Sequence, residues 1–338
     1  MPRHRSLRAL LAFALAAAAS ATLASGASDA ASQSSVRQIR IHYRSHAGIR
    51  RGATVLLPAT YDGATSGALP LVISPHGRGL SGRTNAAAWG DLPALGNFVV
   101  VNPDGQGRRL GPYSWGYEGQ IEDLARMPEI VRLALPWLQI DRTRIYAFGG
   151  SMGGQETLLL VARHPRLLAG AAAFDAVTDF ARQYRAFPHL ACGGACGQFW
   201  THGGFGRALQ GLAREEIGGS PSTAPAAFAR RSPITYTSRI ASSCVPLQLW
   251  WSSNDRIVRD QLYQSERFFR EIRKLNPLAP ITAFSGFWIH SYEMQSTTRL
   301  PLALQTFDLI PPDPSVHSGG ILVVRAPEES AWCGLDRR

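Results

Sequence analysis

Ser151 stands in Gly149-Gly150-Ser151-Met152-Gly153-Gly154, a G-x-S-x-G pattern directly after the apolar run Ile145-Tyr146-Ala147-Phe148. A serine on a sharp strand-to-helix turn is lifted clear of its sheet, and small neighbours such as Gly149 and Gly153 relieve the crowding. The pattern alone is weak, because Gly and Ser are common in loops; the strand before it and the helix-compatible stretch from Met152 give it weight. A serine hydroxyl becomes a useful nucleophile when a base takes its proton. Of the histidines, 164, 189, 202, 290 and 317 follow Ser151. His164 sits before Pro165 at a helix end, His189 and His202 lie in a Gly-rich stretch, and His317 lies in a Pro-rich tail. His290, in Phe287-Trp288-Ile289-His290-Ser291, follows the last expected core strand and is the candidate base.

An imidazole base needs a carboxylate that orients it and stabilises its protonated form. Asp255 closes the strand and loop Leu247 to Asn254, 35 residues before His290, and is the preferred acid. Asp175, after the preceding strand, is its rival, and Asp179 a more distant one. A tetrahedral intermediate also needs backbone N–H donors aimed at its oxyanion. Met152, the residue after the nucleophile, supplies one. The second is expected from the loop Pro75-His76-Gly77-Arg78-Gly79, with Arg78 donating through its backbone, or contacting substrate through its side chain, and His76 bracing the loop.

The elements that must position these residues alternate along the chain. Val36 to Ser45 and Arg50 to Leu57 read as a hairpin around Ala47-Gly48. Short apolar strands are expected at Leu69 to Ser74, Phe98 to Asn102, Arg144 to Phe148, Leu168 to Phe174, Val245 to Trp251 and Ile281 to Phe284. Helices are expected over 84–95, 155–163, 260–274 and 296–308. Apolar residues at 121, 124, 127, 130, 131, 134 and 138 give 118–138 a helical period, kinked or shortened by Pro128 and Pro136. Strands alternating with helices imply a mostly parallel sheet covered on both faces. Residues 182–243 break the alternation and read as a lid-like insertion after the sixth strand. Residues 311–338 read as a C-terminal tail with a short strand at Ile321 to Val324, leaving 36–310 as the catalytic domain.

The start of the chain has a different character. Met1 to Arg8 is basic, Ala9 to Ala19 is an apolar run of eleven, and small residues follow to Ala31. Residues 1–30 therefore read as a secretory signal peptide, with Ala19-Ser20-Ala21 and Ser25-Gly26-Ala27 as cleavage sites, and imply a secreted, periplasmic or extracellular protein. No other stretch is long enough for a membrane span. In an oxidising compartment the four cysteines, at 192, 196, 244 and 333, are expected to pair. Cys192 with Cys196, across Gly193-Gly194-Ala195, and Cys244 with Cys333 is the favoured arrangement.

The formal charge of +11 falls to about +9 without residues 1–30, where three Arg and one Asp lie. Only one basic residue, Lys274, is a lysine, and the arginines are scattered, so no nucleic-acid footprint is read. No Gly-rich phosphate loop, metal-ligand cluster or cofactor fingerprint appears, and the reaction is expected to need no cofactor.

From about Ala53 to Leu309 the chain resembles the α/β-hydrolase superfamily. It is similar to the catalytic domain of the prolyl oligopeptidase-like family and to secreted esterases related to polyhydroxybutyrate depolymerases and feruloyl esterases. The resemblance rests on His76-Gly77, Asn102-Pro103-Asp104-Gly105, Asp141 to Ile145, Gly149 to Gly154, Ser232-Pro233-Ile234, Asn254-Asp255 and His290. It implies an α/β-hydrolase fold, a Ser151-Asp255-His290 triad, and oxyanion donors at Arg78 and Met152. That family often carries Gly beside its catalytic His, where this chain has Ser291, with Trp288 close by. The β-propeller of prolyl oligopeptidases has no room in 338 residues, which favours an ester over a peptide substrate. The expected activity is thus cleavage of small-molecule or polymer carboxylic esters by an acyl-serine route. A serine peptidase and a non-catalytic binding protein on the same fold are the alternatives. Trp89, Tyr113, Trp115, Trp200 and Trp288 are candidates for the wall of an acyl or aryl pocket, although such residues are more often core.

Overall fold

The computed structural model describes residues 35–190, 204–316 and 318–328. A nine-stranded sheet in the order β1-β2-β4-β3-β5-β6-β7-β8-β9 forms its centre. The strands are β1 (Val36–Arg44), β2 (Arg50–Pro58), β3 (Leu69–Ile73), β4 (Val99–Pro103), β5 (Ile140–Gly150), β6 (Gly170–Phe174), β7 (Leu247–Ser252), β8 (Ile281–Gly286) and β9 (Leu322–Val324). β1 and β2 form the expected hairpin, and β2 lies antiparallel to β4. From β4 through β8 every neighbouring pair is parallel.

Parallel strands are buried on both faces, and β3, β4, β6 and β7 are buried along their whole length. One face packs Leu71, Ile73, Val101, Ala147 and Leu249 against Leu158 to Ala162 and Phe268. The other packs Val72, Val100, Phe148, Phe174 and Trp250 against Trp89, Leu300 and Leu304. Trp250 and Phe284 are register partners on β7 and β8, with stacked rings whose centroids are 4.0 Å apart. Such a pair adds roughly 0.5–1.5 kcal/mol beyond its burial and holds the register of these two strands.

Several helices differ from expectation. The helix expected over 84–95 is divided into Gly82–Ala86, a 3-10 turn Ala87–Trp89 and Leu92–Gly96. Gly90 breaks it, at φ +47 and with Ser296 Oγ 2.7 Å from where a Cβ would stand. The 118–138 segment is two helices, Glu118–Ala125 and Met127–Ala134. Pro128 falls in the first turn of the second, where a missing N–H costs nothing. The last helix spans only Leu300–Gln305, because the Thr298 hydroxyl donates back to the Glu293 carbonyl at 2.8 Å and holds a turn there. Within the 182–243 segment, helices Gly204–Ile217 and Pro225–Arg230 cover a third apolar cluster with Phe180, Tyr184 and Phe187, over Trp115 and Met152. The tail strand is present as β9, antiparallel to β8.

No helix among the described residues is long and apolar enough to cross a membrane. The expected signal segment lies outside the described residues, as do Cys192, Cys196, Cys333, His202, Trp200 and His317. Cys244 is not a free thiol.

Candidate active site

In a parallel sheet all strands release their loops at one edge, and a cleft opens there where the strand order reverses. Here the order β4-β3-β5 places that reversal between the ends of β3 and β5. The loop after β3 carries Gly77 and Arg78, and β5 ends directly before Ser151. Asp175 follows β6, Asp255 lies three residues past β7, and His290 four residues past β8.

Ser151 joins β5 to the helix Met152–Arg163 with φ 59 and ψ −122. Its N–H donates to the Phe174 carbonyl at 2.8 Å, and its carbonyl accepts from Gln155 at 3.0 Å. Close approach dictates the flanking glycines. A Cβ on Gly153 would stand 2.2 Å from the Pro75 carbonyl oxygen, and one on Gly149 2.3 Å from the Gly153 carbonyl oxygen. A Cβ on Gly77 would reach the Ser151 Cβ at 3.7 Å, so the β3 loop runs beside the Ser151 turn. Met152 opens the helix, whose N-terminal dipole favours negative charge at this point.

His290 Nδ1 lies 2.9 Å from Asp255 Oδ2. Asp255 is held in turn: Ile257 and Val258 donate their N–H groups to Oδ1 at 2.8 and 2.9 Å, and Gln261 Nε2 donates to Oδ2 at 3.0 Å. With Nδ1 engaged, Nε2 is the ring nitrogen left for proton transfer. Burial opposes charge on His290, but the Asp255 carboxylate, with help from Asp175, outweighs it and holds the pKa above the ordinary 6.5.

Asp175 occupies a different place. Its Oδ1 accepts from the Ser252 N–H at 2.9 Å, and its Oδ2 from Trp288 Nε1 at 3.0 Å and the Ser291 N–H at 2.7 Å. It therefore grips the loop that carries His290. Burial first, then the neighbouring Asp255 carboxylate, pushes its pKa up to about 7. Glu293, fully buried beside it, went unnoticed in sequence, where Ser-Tyr-Glu-Met reads as surface. As a carboxylate neither of its oxygens has a donor, and burial and the Asp175 charge raise its pKa well above the usual range. A proton shared between the two carboxyls satisfies both. Asp175, Asp255 and His290 offer ligand atoms within 4.8 Å of one another. The carboxylate lone pairs of this set are already directed at protein N–H groups.

Ser151 and His290 line one cleft of about 560 Å³, with Arg78, Trp115, Val177 and Phe187 among its walls. Of the expected pocket aromatics, Trp115 is in the wall. Tyr113 packs against the Arg78 guanidinium at 5.6 Å. Trp89 and Trp288 are core residues instead, each spending its indole N–H internally, on Ser74 Oγ at 3.1 Å and on Asp175. His76 braces its loop as expected, with its ring nitrogens 2.8 Å from the Gly77 and Asp104 carbonyl oxygens. His164 lies against Glu122 at 3.0 Å, away from the cleft.

No protein-family model matches the chain, and no curated protein matches it. Solved structures do. Acylaminoacyl peptidase from Pyrococcus horikoshii superimposes with a TM-score of 0.59 at 15% identity, over 85% of this chain and 44% of that one. A fungal esterase from Rhizomucor miehei gives 0.58 at 15% identity, over 81% and 82%. An S-formylglutathione hydrolase from Agrobacterium tumefaciens gives 0.57 at 15% identity, over 81% and 95%. The chain thus spans less than half the length of the peptidase and most of the length of the other two. The likeness and the sheet topology define the chain as an α/β-hydrolase fold. The solved neighbours sharing that fold are serine hydrolases of both peptidase and esterase type.

Proposed function

We propose that the protein is a serine hydrolase that cleaves carboxylic esters through an acyl-Ser151 intermediate. The 2.9 Å bond between Asp255 and His290, beside a cleft that His290 shares with Ser151, carries this reading. Ser151 Oγ attacks the ester carbonyl carbon while His290 Nε2 takes its proton. The oxyanion forms against the Met152 and Arg78 backbone N–H groups. His290 returns the proton to the departing alcohol, and water, deprotonated by His290, then releases the acid and restores Ser151. Asp255 keeps the imidazole in the required tautomer throughout.

An ester is favoured over a peptide because, among the described residues, no Asp or Glu lines the cleft to hold a peptide's ammonium terminus. In the same reading residues 1–30 direct export, Cys192 pairs with Cys196 and Cys244 with Cys333, and residues 182–243 act as a lid that shapes the acyl site. Turnover of p-nitrophenyl esters of graded length, beside aminoacyl and prolyl arylamides, tests the proposal. Ester turnover should dominate and vanish in Ser151→Ala; amide turnover exceeding it would overturn the ester assignment.

A further inference from the structure

Among the described residues, Arg78 is the one permanently charged side chain in the cleft wall. Its guanidinium lies 5.6 Å from the Tyr113 ring centroid and 5.5 Å from that of Phe205. No described carboxylate pairs with it, and residues 191–203, which lie outside the described set, include no Asp or Glu. The rest of the described wall adds none: beyond His290 it is Gly, Ala, Ser, Thr, amides, Met, aliphatic and aromatic residues. Burial lowers the Arg78 pKa, which marks a cation partly stripped of water, yet a guanidinium keeps its charge at neutral pH. Aromatic faces attract the cation but offer no bidentate acceptor for its planar fork of N–H donors. A carboxylate supplies that acceptor with matching geometry. An apolar cleft with an unpaired cation and no competing anion is complementary to a substrate that is itself mostly apolar and carries one negative charge.

We propose that Arg78 selects esters bearing a carboxylate, binding that carboxylate in the cleft while Ser151 attacks the ester carbon. The inference rests on the ester-hydrolase reading of the site. It adds a specificity residue and a substrate class to it: half-esters of dicarboxylic acids, or esters of hydroxy acids, rather than neutral esters.

The test compares each acid with its methyl ester, so that size is nearly constant and charge changes. For a charge on the acyl side the pair is mono-p-nitrophenyl glutarate and its methyl ester. For a charge on the alcohol side it is 4-(carboxymethyl)phenyl butyrate and its methyl ester. Wild-type kcat/KM should favour the acid at least tenfold in one arm, and that arm identifies the side. The ratio should collapse towards one in Arg78→Gln, remain partial in Arg78→Lys, and persist in Arg325→Gln, which removes an exposed charge elsewhere. A ratio near one in both arms, or a preference that survives Arg78→Gln, overturns the inference while leaving the hydrolase reading intact. If neither member of a pair is hydrolysed, the hydrolase reading fails instead. Calorimetric binding of monomethyl glutarate against dimethyl glutarate then decides the anion site alone, since equal affinities, or affinities indifferent to Arg78→Gln, also refute it.

Discussion

Asp175 accepts the Ser291 N–H at 2.7 Å, so the carboxyl that follows β6 fastens the chain one residue past His290. The same side chain takes Trp288 Nε1 and the Ser252 N–H. A carboxyl placed this way acts through the loop rather than on the imidazole. Asp175→Ala leaves three buried donors unpaired and should cost about 2 kcal/mol or more of stability. Urea unfolding measures that loss. Because the loop slackens, kcat should fall as well, by less than in Asp255 variants.

Asp255→Asn keeps the shape but exchanges the acceptor for an amide, which favours the wrong imidazole tautomer. A fall in kcat of roughly 10³-fold or more is expected, with a smaller change in KM. The pH profile carries a second signature. On the proposed mechanism, in which neutral His290 is the base, the wild-type acid limb of kcat/KM should lie above pH 6.5, since the His290 pKa is raised. Removing the Asp255 charge should move that limb to lower pH.

Stability should fall as pH rises across the neutral range. Asp175 and Glu156 have pKa values raised to about 7 by burial, and that of Glu293 is raised well above its usual value. Between their unfolded pKa values and these folded ones, the native state binds more protons than the unfolded chain, so raising the pH favours unfolding. His290, with its raised pKa, acts in the same direction: its stabilisation is complete below 6.5 and is lost as pH passes the folded value. The thermal midpoint should be higher near pH 5 than near pH 8. Glu293→Gln, which cannot ionise, should flatten the slope.

Gly153→Ala places a methyl group 2.2 Å from the Pro75 carbonyl oxygen. The β3 loop or the Ser151 turn must move, and either shift displaces the Met152 and Arg78 N–H groups that the proposed mechanism assigns to the oxyanion. We expect kcat for p-nitrophenyl butyrate to drop about 10²-fold with the circular dichroism spectrum retained.

The strand-turn-helix around Ser151 was legible in sequence because its three parts are contiguous and each leaves a local mark. His290 followed from order along the chain. Asp255 and Asp175 were harder to separate, since both lie beyond strand ends. What separates them is tertiary: Asp175 turns at φ 43 towards Trp288, whereas Asp255 is presented to His290 by the loop to Gln261. Glu293 left no mark, because a buried acid and a surface acid read alike until the partner across 118 residues is placed. The aromatic residues could not be sorted into core and pocket for a related reason. Trp89 and Trp288 have bulk and a polar atom, and only the fold shows that Ser74 and Asp175 use up that atom.

The backbone of Ser151, at φ 59 and ψ −122, lies in a region that side chains avoid and glycine tolerates. Holding a non-glycine residue there costs about 1–3 kcal/mol, which the surrounding fold must supply. Ser151→Gly should therefore raise the thermal midpoint while abolishing turnover. A hydrolase that uses Ser151 as proposed is not the most durable protein its own backbone allows, and selection for heat resistance alone would discard that serine first.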